Sequence, residues 1–580
     1  MSTTLTAPPV QVQPADWVRC PQCCSLTYRK RLSRNLGVCP ECGHHARLTA
    51  RERLVQLVDA GSFVEAPDPD ADTRPEDPLA FTDQQPYRQR LADARLTTGE
   101  QEAVIIGTAA IGGLDVVVAV MDFRFMGGSM GTAVGERVTW AAEQAARTRT
   151  PLLLVTASGG ARMQEGCLSL MQMAKTAQSI GRLREEGVLC VCILPNPTFG
   201  GVSASFAMLG HVVIAEAGAL VGFAGPRVIQ ETIRQELPPG FQTAEFLLAH
   251  GLVDRVEPRP RLRPVVQQLL ATTRRNVDLQ DEADVRQISG GTAPIRTAGR
   301  LDACDVDSWA LVQRARHIDR PTTLDYLGTA FDDFVELHGD RSFADDAAIV
   351  GGLARIGGRG VVVIGHQKGH NTRDLVARNF GMPHPEGYRK ARRLMDLAAS
   401  LRLPVVCLVD TPGAFPGVQA EERGQSAAIA ECIMGASRLP VPVVSVITGE
   451  GGSGGALALA TADRVLMLEN AFYSVISPEG CAAILWRSRD SAPEAARALR
   501  INAPQLLDIG IVDAVVPEPG GGAHSAPREI AANLRLAVLD QLDDLDGLPT
   551  EALLERRYER FRAFGSRPST RFLAGQVKSA

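Results

Sequence analysis

Pro151-Leu-Leu-Leu-Val-Thr-Ala-Ser-Gly-Gly160 and Pro404-Val-Val-Cys-Leu-Val-Asp-Thr-Pro-Gly413 are two versions of one pattern, an apolar run closed by a glycine turn. They stand 404 − 151 = 253 residues apart. The same offset carries Gly201 onto Gly454, Ala215-Glu216 onto Leu468-Glu469 and Phe223-Ala-Gly-Pro226 onto Ile476-Ser-Pro-Glu479 without a gap. Further on, Gly251-Leu-Val-Asp254 answers Gly510-Ile-Val-Asp513. Solenoid repeats have periods of roughly 20 to 50 residues, so a period this long means two whole domains. Short β-branched runs such as Val361-Val-Val-Ile364 and Val443-Val-Ser-Val-Ile447 read as buried strands. After Pro385-Glu386, Ala391, Leu394, Met395, Ala398 and Leu401 keep helical spacing. Alternating strands and helices predict an α/β architecture with a parallel sheet in each half, and function is expected where the two halves face each other.

The bulk numbers fit this reading. A chain of 580 residues accommodates two large α/β domains and one small module. With 45% hydrophobic and 22% charged residues it has the composition of a soluble globular protein, and a net charge of −5 argues against nucleic-acid binding by the chain as a whole. Met1 to Arg19 has no apolar core of the kind a secretory signal needs. The longest apolar stretch, Ala103 to Met121, is broken by Gly112-Gly113 and Asp115, so no membrane helix is expected. The expected location is the cytoplasm, with the 12 cysteines mostly reduced.

Cys20-Pro-Gln-Cys23 and Cys39-Pro-Glu-Cys42 are separated by the fifteen residues 24 to 38, the spacing of a C4 zinc ribbon. Four thiolates close the tetrahedral shell and leave no position for a reacting water, so the single Zn2+ is expected to be structural. Cys24, His44 and His45 are surplus to that shell. Arg19, Arg29, Lys30, Arg31, Arg34, Arg47, Arg51 and Arg53 surround it, either as a phosphate- or RNA-binding cluster or as a solvated basic face.

The chemistry concentrates at strand-to-helix turns: Ser158-Gly-Gly-Ala-Arg162, Phe199-Gly-Gly-Val-Ser203, Thr411-Pro-Gly-Ala414 and Glu450-Gly-Gly-Ser-Gly-Gly-Ala456. Glycine lets backbone N–H groups approach a ligand, and a following helix adds its positive end. Two such groups aimed at one oxygen make an oxyanion hole, where a single donor contributes roughly 3 to 4 kcal/mol to a barrier. The plainer alternative for any one pair is turn chemistry or tight helix packing. No convincing HExxH, GxSxG, Walker-type or GxGxxG pattern is present, which favours chemistry run by backbone dipoles.

At this point a family resemblance enters. Phe125-Met-Gly-Gly-Ser-Met-Gly131, Ser158-Gly-Gly-Ala-Arg-Met-Gln-Glu165, Gly200-Gly-Val-Ser-Ala-Ser-Phe-Ala-Met-Leu-Gly210 and Gly222-Phe-Ala-Gly-Pro-Arg227 resemble the β subunit of bacterial acetyl-CoA carboxylase carboxyltransferase, zinc ribbon included. Gly365-His-Gln-Lys-Gly369, Asn379-Phe-Gly-Met382, Pro385-Glu-Gly-Tyr-Arg-Lys390, Asp410-Thr-Pro-Gly-Ala-Phe-Pro-Gly417, Gly449-Glu-Gly-Gly-Ser-Gly-Gly455 and Ser477-Pro-Glu-Gly-Cys481 are similar to its α subunit. The resemblance runs from Trp17 to about Arg562 and implies the two subunits fused, β first. It implies a disordered tail (1–16), the ribbon (17–57) and a crotonase-like (ClpP/crotonase superfamily) acyl-CoA domain (58–257). A linker (258–308), a second crotonase-like domain for carboxybiotin (309–562) and a tail (563–580) follow. The linker has a charged run from Arg274 to Arg286 and a Gly290-Gly291 break, and resembles neither subunit.

The resemblance further implies carboxyl transfer from N-carboxybiotin to acetyl-CoA, giving malonyl-CoA. Gly200 and Gly201, with Gly159 and Gly160, are expected to serve the thioester enolate; Gly454 and Gly455, with Gly413, the biotin ureido oxygen. Arg162, Phe223, Ala224, Gly225, Lys368 and Arg389 are expected to contact substrate, Lys368 and Arg389 together with Arg392 and Arg393 as partners for CoA phosphates or else as a solvated face. No Ala-Met-Lys-Met-like segment accepts biotin and no ATP-binding domain is left over. Biotin carboxyl carrier protein and the ATP-using biotin carboxylase are therefore expected as separate partners, and this chain as a homodimer. Alternatives are a propionyl-CoA or other acyl-CoA carboxyltransferase, and a zinc-ribbon nucleic-acid-binding regulator.

Overall fold

The computed structural model describes residues 16–69, 74–226, 229–230, 236–273, 295–297 and 307–564. Nearly all of the expected tails, and the charged run with its Gly290-Gly291 break, lie outside the described residues. The chain divides into two units. The first holds the described residues up to Leu183 with Cys190–Phe246 and Val256–Gln267; the second holds Arg184–Leu189, Leu247–Arg255 and the described residues from Gln268 on. Residues 259–273, expected to begin a linker, instead form the helix Arg259–Thr273. Its buried residues Leu262, Val265, Val266, Leu269 and Leu270 recur with the spacing of an amphipathic stripe, which outweighs the basic start of the segment.

In the first unit seven strands lie in the order Arg255–Glu257, Val212–Glu216, Cys190–Leu194, Leu152–Val155, Leu114–Met121, Val104–Ile111, Val64–Glu65. In the second the order is Asp332–Glu336, Ile349–Ile356, Arg359–His366, Val405–Thr411, Val443–Gly452, Arg464–Leu468, Ala514–Val516, with Phe472–Ser474 beside Val443–Gly452. Each sheet opens on antiparallel strands and continues in parallel, through Val117↔Leu152 and Leu152↔Cys190 in one and Val362↔Val405 and Val405↔Val443 in the other. Leu152–Val155, Cys190–Leu194, Val405–Thr411 and Val443–Gly452 are buried at every residue, as parallel strands covered on both faces must be. The paired register brings the ends of neighbouring strands, and so the glycine turns that follow them, side by side.

The repeat extends further than the sequence offset suggests. The helix Thr132–Thr148 matches Pro385–Leu401 at 385 − 132 = 253, and both end on a left-handed arginine, Arg149 (φ 53°) and Arg402 (φ 56°). The hairpins Val104–Met121 and Ile349–His366 match at 349 − 104 = 245. The second unit therefore carries eight extra residues between the two registers. They fall between His366 and Asn379, because Met126 (φ 48°) and Asn379 (φ 46°) already share the longer offset, and the helix Thr372–Ala377 occupies this segment.

Glu216, at the end of the strand next to the sheet's edge in the first unit, anchors the amino-terminal module. Arg53, on the helix Ala50–Leu57, donates to Glu216 Oε2 at 2.8 Å, and Arg259 donates to Oε1 at 2.6 Å. Arg259 also donates to the carbonyls of Leu36 and Ala46, at 2.8 and 2.9 Å, and so holds the ribbon's second knuckle. Burial would raise the Glu216 pKa, but Arg53, His45 and Arg259 hold it well below the ordinary 4.5. The unfolded chain thus binds a proton that the folded chain refuses, so this contribution is full above about pH 4.5 and is lost as pH falls through the folded value. Glu216→Gln is expected to cost about 3–5 kcal/mol at neutral pH by stranding two buried guanidiniums. In urea unfolding, the gap between wild type and variant should narrow from pH 6 to pH 3.5; a constant gap would contradict the assignment.

Candidate active site

In the first unit the turn after Leu152–Val155 meets the turn that opens the short helix Gly200–Ser203. Gly160 has φ 124°, a conformation side chains rarely adopt, and a Cβ on Gly200 would lie 2.9 Å from the Gly160 Cα. The two backbones touch, and only glycine fits. Three of the four N–H groups expected as oxyanion donors are already used. Gly159 donates to Gly127 O (2.8 Å), Gly160 to Ser158 Oγ (3.0 Å) and Gly200 to Phe223 O (2.8 Å). Gly201, in the first helical turn where N–H groups have no intrahelical acceptor, and Ala161 are left as donors without an acceptor among the described residues. A Cβ on Gly201 would lie 3.3 Å from the Ala161 Cβ, so the two free groups are neighbours. Ala161 was not foreseen from the sequence, which drew attention to glycines alone. A cavity of about 470 Å³, lined by Met126, Gly127, Ser129, Gly159, Ala161 and Met163 among others, opens at this place.

The second unit repeats the construction. Gly413 has φ 145°, its N–H donates to Thr411 Oγ1 at 3.0 Å, and Thr411 stands where Ser158 does at the same 253 offset. Ser453, the counterpart of Gly200, shares its left-handed backbone at φ 56° and begins the helix Ser453–Ala460. Ala414 and Gly454, counterparts of Ala161 and Gly201, again carry the N–H groups without an acceptor among the described residues. Gly455 N–H likewise has no acceptor among the described residues; a Cβ there would lie 2.6 Å from Ala414 N and 2.6 Å from the Tyr388 hydroxyl, so no side chain fits, whereas at Gly454 the nearest atom is Ile429 Cγ2 at 3.8 Å.

The expected substrate contacts divide sharply. Phe223 is 70% exposed beside Gly200, and Phe223-Ala224-Gly225 follows the strand Val221–Gly222, held in place by Val221↔Thr198 and Gly222↔Phe199 pairing. Ala224 O accepts from Gln242 Nε2 at 3.0 Å, and a Cβ on Gly225 would meet nothing within 4 Å. Arg162 corrects the sequence reading. Its guanidinium is turned fully inward, donating to Glu102 at 2.9 and 2.5 Å, to Tyr87 OH at 3.1 Å and to Ser129 O at 2.9 Å. Tyr87 donates on to Glu165 Oε1 at 2.6 Å, whose other oxygen accepts from Thr132 N at 2.6 Å. This network braces the turns from behind.

Lys368 and Arg389 are also committed. Lys368 Nζ donates to Asp410 Oδ1 (2.8 Å) and Glu450 Oε2 (2.6 Å); Arg389 Nε donates to Asp340 Oδ2 (2.8 Å). Arg393 donates to Asp254 at 2.8 Å, so Lys368, Arg389 and Arg393 are tied to buried carboxylates, while Arg392 donates to Asp396 at 2.8 Å on an exposed helix face, as the solvated-face alternative has it.

Cys20, Cys23, Cys39 and Cys42 come together as the spacing predicts, all four sulfurs lying within 4.8 Å of one another. The Cys20···Cys42 and Cys23···Cys39 separations are 3.7 and 3.8 Å. A tetrahedron with Zn–S bonds of about 2.3 Å has edges of about 3.8 Å, so the donor set fits zinc. Hydrogen bonds from Ser25 lower the Cys23 thiol to about 6. The basic surround is partly neutralised, with Arg31 on Glu41, Arg51 on Glu100 and Glu65, and Arg53 on Glu216. That weakens the nucleic-acid alternative.

An α/β unit that occurs twice, each copy with a pair of backbone donors beside its glycine turns, behind a C4 ribbon, is the make-up of a carboxyltransferase, and the family comparisons agree. Residues 17–42 match the acetyl-CoA carboxylase zinc finger domain, 43–239 the carboxyl transferase domain and 262–565 the acetyl co-enzyme A carboxylase carboxyltransferase-like family. The acetyl-coenzyme A carboxylase carboxyl transferase subunits beta/alpha of Salinispora tropica is 60% identical over 554 residues, covering 95% of this chain and 96% of that one. The Parafrankia protein of the same description is 54% identical over 97% of this chain and 94% of its own. The Thermus thermophilus subunit alpha is 58% identical over 290 residues, 50% of this chain and 90% of its own. Among solved structures, the transcarboxylase 12S hexamer shares the fold, with a TM-score of 0.65 and 24% identity over 89% of this chain and 92% of that one. The chain belongs to the family of fused β/α carboxyltransferase subunits of acetyl-CoA carboxylase.

Two substitutions test the difference in space at these neighbouring glycines. Gly455→Ala is expected to destabilise the second unit by about 1–3 kcal/mol through overpacking. Gly454→Ala should be neutral or stabilise by up to about 1 kcal/mol, since alanine replaces glycine in a helix with space to spare. Urea unfolding of both variants checks this, and equal costs would contradict it. Cys39→Ser should release the metal and loosen the ribbon, read as zinc per chain by elemental analysis; retention of one equivalent would refute the four-cysteine shell.

Proposed function

We propose that this chain is the carboxyltransferase of acetyl-CoA carboxylase, moving a carboxyl group from N-carboxybiotin on a biotin carboxyl carrier protein to acetyl-CoA and yielding malonyl-CoA. The observation that carries this reading is the duplicated pair of unengaged N–H groups, Ala161 with Gly201 and Ala414 with Gly454, each beside a glycine turn too tight for a side chain. In this reading the first unit takes the thioester and the second carboxybiotin.

The reaction develops negative charge on oxygen twice. Carboxybiotin releases CO2 and becomes a ureido anion; that anion takes a proton from the thioester methyl; the resulting enolate attacks CO2. The base is the substrate's own nitrogen, so no protein side chain is needed to hold the proton. The protein's share is to stabilise the enolate and ureido oxygens with preorganised dipoles and to keep water from the CO2. In the first unit, Ala161 and Gly201 offer the donors and Phe223 an exposed apolar surface for the acyl-CoA. In the second, Ala414 and Gly454 offer the equivalent pair. Biotin carboxylase supplies the carboxylated carrier at the expense of ATP, and a homodimer in the cytoplasm is the expected assembly.

Purified protein supplied with malonyl-CoA and biocytin should release acetyl-CoA in a biocytin-dependent manner, with methylmalonyl-CoA at least about tenfold slower, since one extra methylene is worth about 1–3 kcal/mol. Turnover of methylmalonyl-CoA alone would move the substrate to the propionyl class. No turnover of either would refute the carboxyltransferase reading.

A further inference from the structure

A chain of alternating charges lies behind the glycine turns of the second unit. Lys368 Nζ joins Asp410 (2.8 Å) to Glu450 (2.6 Å); Arg316 Nε donates to the other Glu450 oxygen (2.6 Å), and its Nη1 to Glu479 Oε1 (2.5 Å). Each carboxylate sits at the root of a loop. Asp410 is three residues before Gly413, Glu450 three before Ser453, and Glu479 lies in the segment that matches Pro226 of the first unit. Asp410 Oδ1 also accepts the Glu450 N–H at 2.8 Å, locking the two strand ends together. Without the ammonium between them, two buried carboxylates would repel across the gap that the Ala414 and Gly454 donors must hold fixed.

Among the described residues, the first unit has no such chain behind its turns. At the 253 offset, Asp410, Glu450 and Glu479 correspond to Ala157, Pro197 and Pro226, and Lys368 belongs to the segment lengthened by eight residues. Two sites with the same turn geometry therefore differ in what stands behind them. Packing fixes Lys368 in place: a Cβ on Gly381 would lie 2.8 Å from its Cγ, so the left-handed turn at Asn379–Gly381 closes directly on the lysine stem. Its remaining free side forms part of the wall of a cavity of about 650 Å³.

We infer that Lys368, with Arg316, is a positioning residue for the carboxybiotin half alone, holding the 413–414 and 453–455 turns in register and cancelling the charge of Asp410 and Glu450 next to a developing anion. It acts through those carboxylates and does not bind CoA phosphates. The inference rests on the function proposed above.

The test follows the malonyl-CoA and biocytin reaction with Lys368→Met, Lys368→Ala and Lys368→Arg. Lys368→Met is expected to lower kcat/KM for biocytin by at least about tenfold while leaving KM for malonyl-CoA within about twofold. Lys368→Arg should recover much of the loss, and methylammonium should partly restore Lys368→Ala, because the cavity admits a small cation. If Lys368→Met does not fold, Lys368→Met with Glu450→Gln, which removes one charge of each sign, takes its place and should show the same split. A rise in KM for malonyl-CoA with biocytin parameters unchanged would mean that Lys368 is a CoA ligand and would overturn the inference. Unchanged kinetics in a folded variant would also overturn it, and a wild-type protein without turnover would remove the functional reading and this inference together.

Discussion

The contact on which both sites depend is backbone against backbone. Gly160 packs on Gly200 in one unit, and Gly413-Ala414 packs on Gly452-Gly455 in the other, at distances where a single Cβ would intrude. Parallel neighbours in a sheet end on the same edge, so the turns leaving them are adjacent by construction. What the sequence adds is the removal of side chains there, so that the turns close until peptide groups touch. The N–H groups left over then point into space that no side chain fills. Such donors have fixed directions and no rotamers to freeze, and they are worth most where charge appears only transiently.

The same frame is supported differently in each half. The first unit buries Arg162 against Glu102, with Tyr87 and Glu165 extending the network to the start of the helix Thr132–Thr148. The second places Phe415 at the position equivalent to Arg162 and puts its charges at the roots of the loops instead. Burial would lower the Lys368 pKa, but Asp410 and Glu450 raise it above the ordinary lysine value, so the ammonium persists at neutral pH. A fold duplicated once has thus kept its backbone and exchanged its interior electrostatics, as expected where geometry is common to two half-reactions and the ligands are not.

Much of this was legible in the sequence because it is local. The strands at 361–364 and 443–447, the helix after Pro385 and the four-cysteine cluster follow from β-branched runs, helical spacing and knuckle spacing, and each formed as read. The glycine turns were legible as turns, but the assignment of donors was not. Which N–H remains free depends on acceptors such as Gly127 O and Phe223 O, brought in from other turns by tertiary packing. The arginines and lysine expected to contact substrate, and found paired with carboxylates, show the same limit. A cation beside a motif is written identically whether it faces a phosphate or a buried carboxylate 42 or 82 residues away. The helix Arg259–Thr273 is different in kind, since its apolar stripe was present in the sequence and was hidden only by the arginines and prolines of its first turns.

Reliance on backbone donors constrains how such a site can respond to its surroundings. Peptide N–H groups do not titrate, and the proposed base belongs to the substrate, so neither unit needs a side chain poised near neutral pH at the reacting atoms. The charged groups nearby, Arg162 with Glu102 and Lys368 with Asp410 and Glu450, are paired within the protein. The pairing holds Glu102 and Glu450 below, and Arg162 and Lys368 above, their ordinary values, so these four keep their charges at neutral pH and act on the turns by attraction and repulsion through the loop roots. Selectivity must then arise from shape and from the alignment of two N–H vectors. Both are sensitive to tenths of an ångström in the packing behind the glycines, which explains why the turns are braced so heavily when the ligand-facing surface carries so little side-chain chemistry.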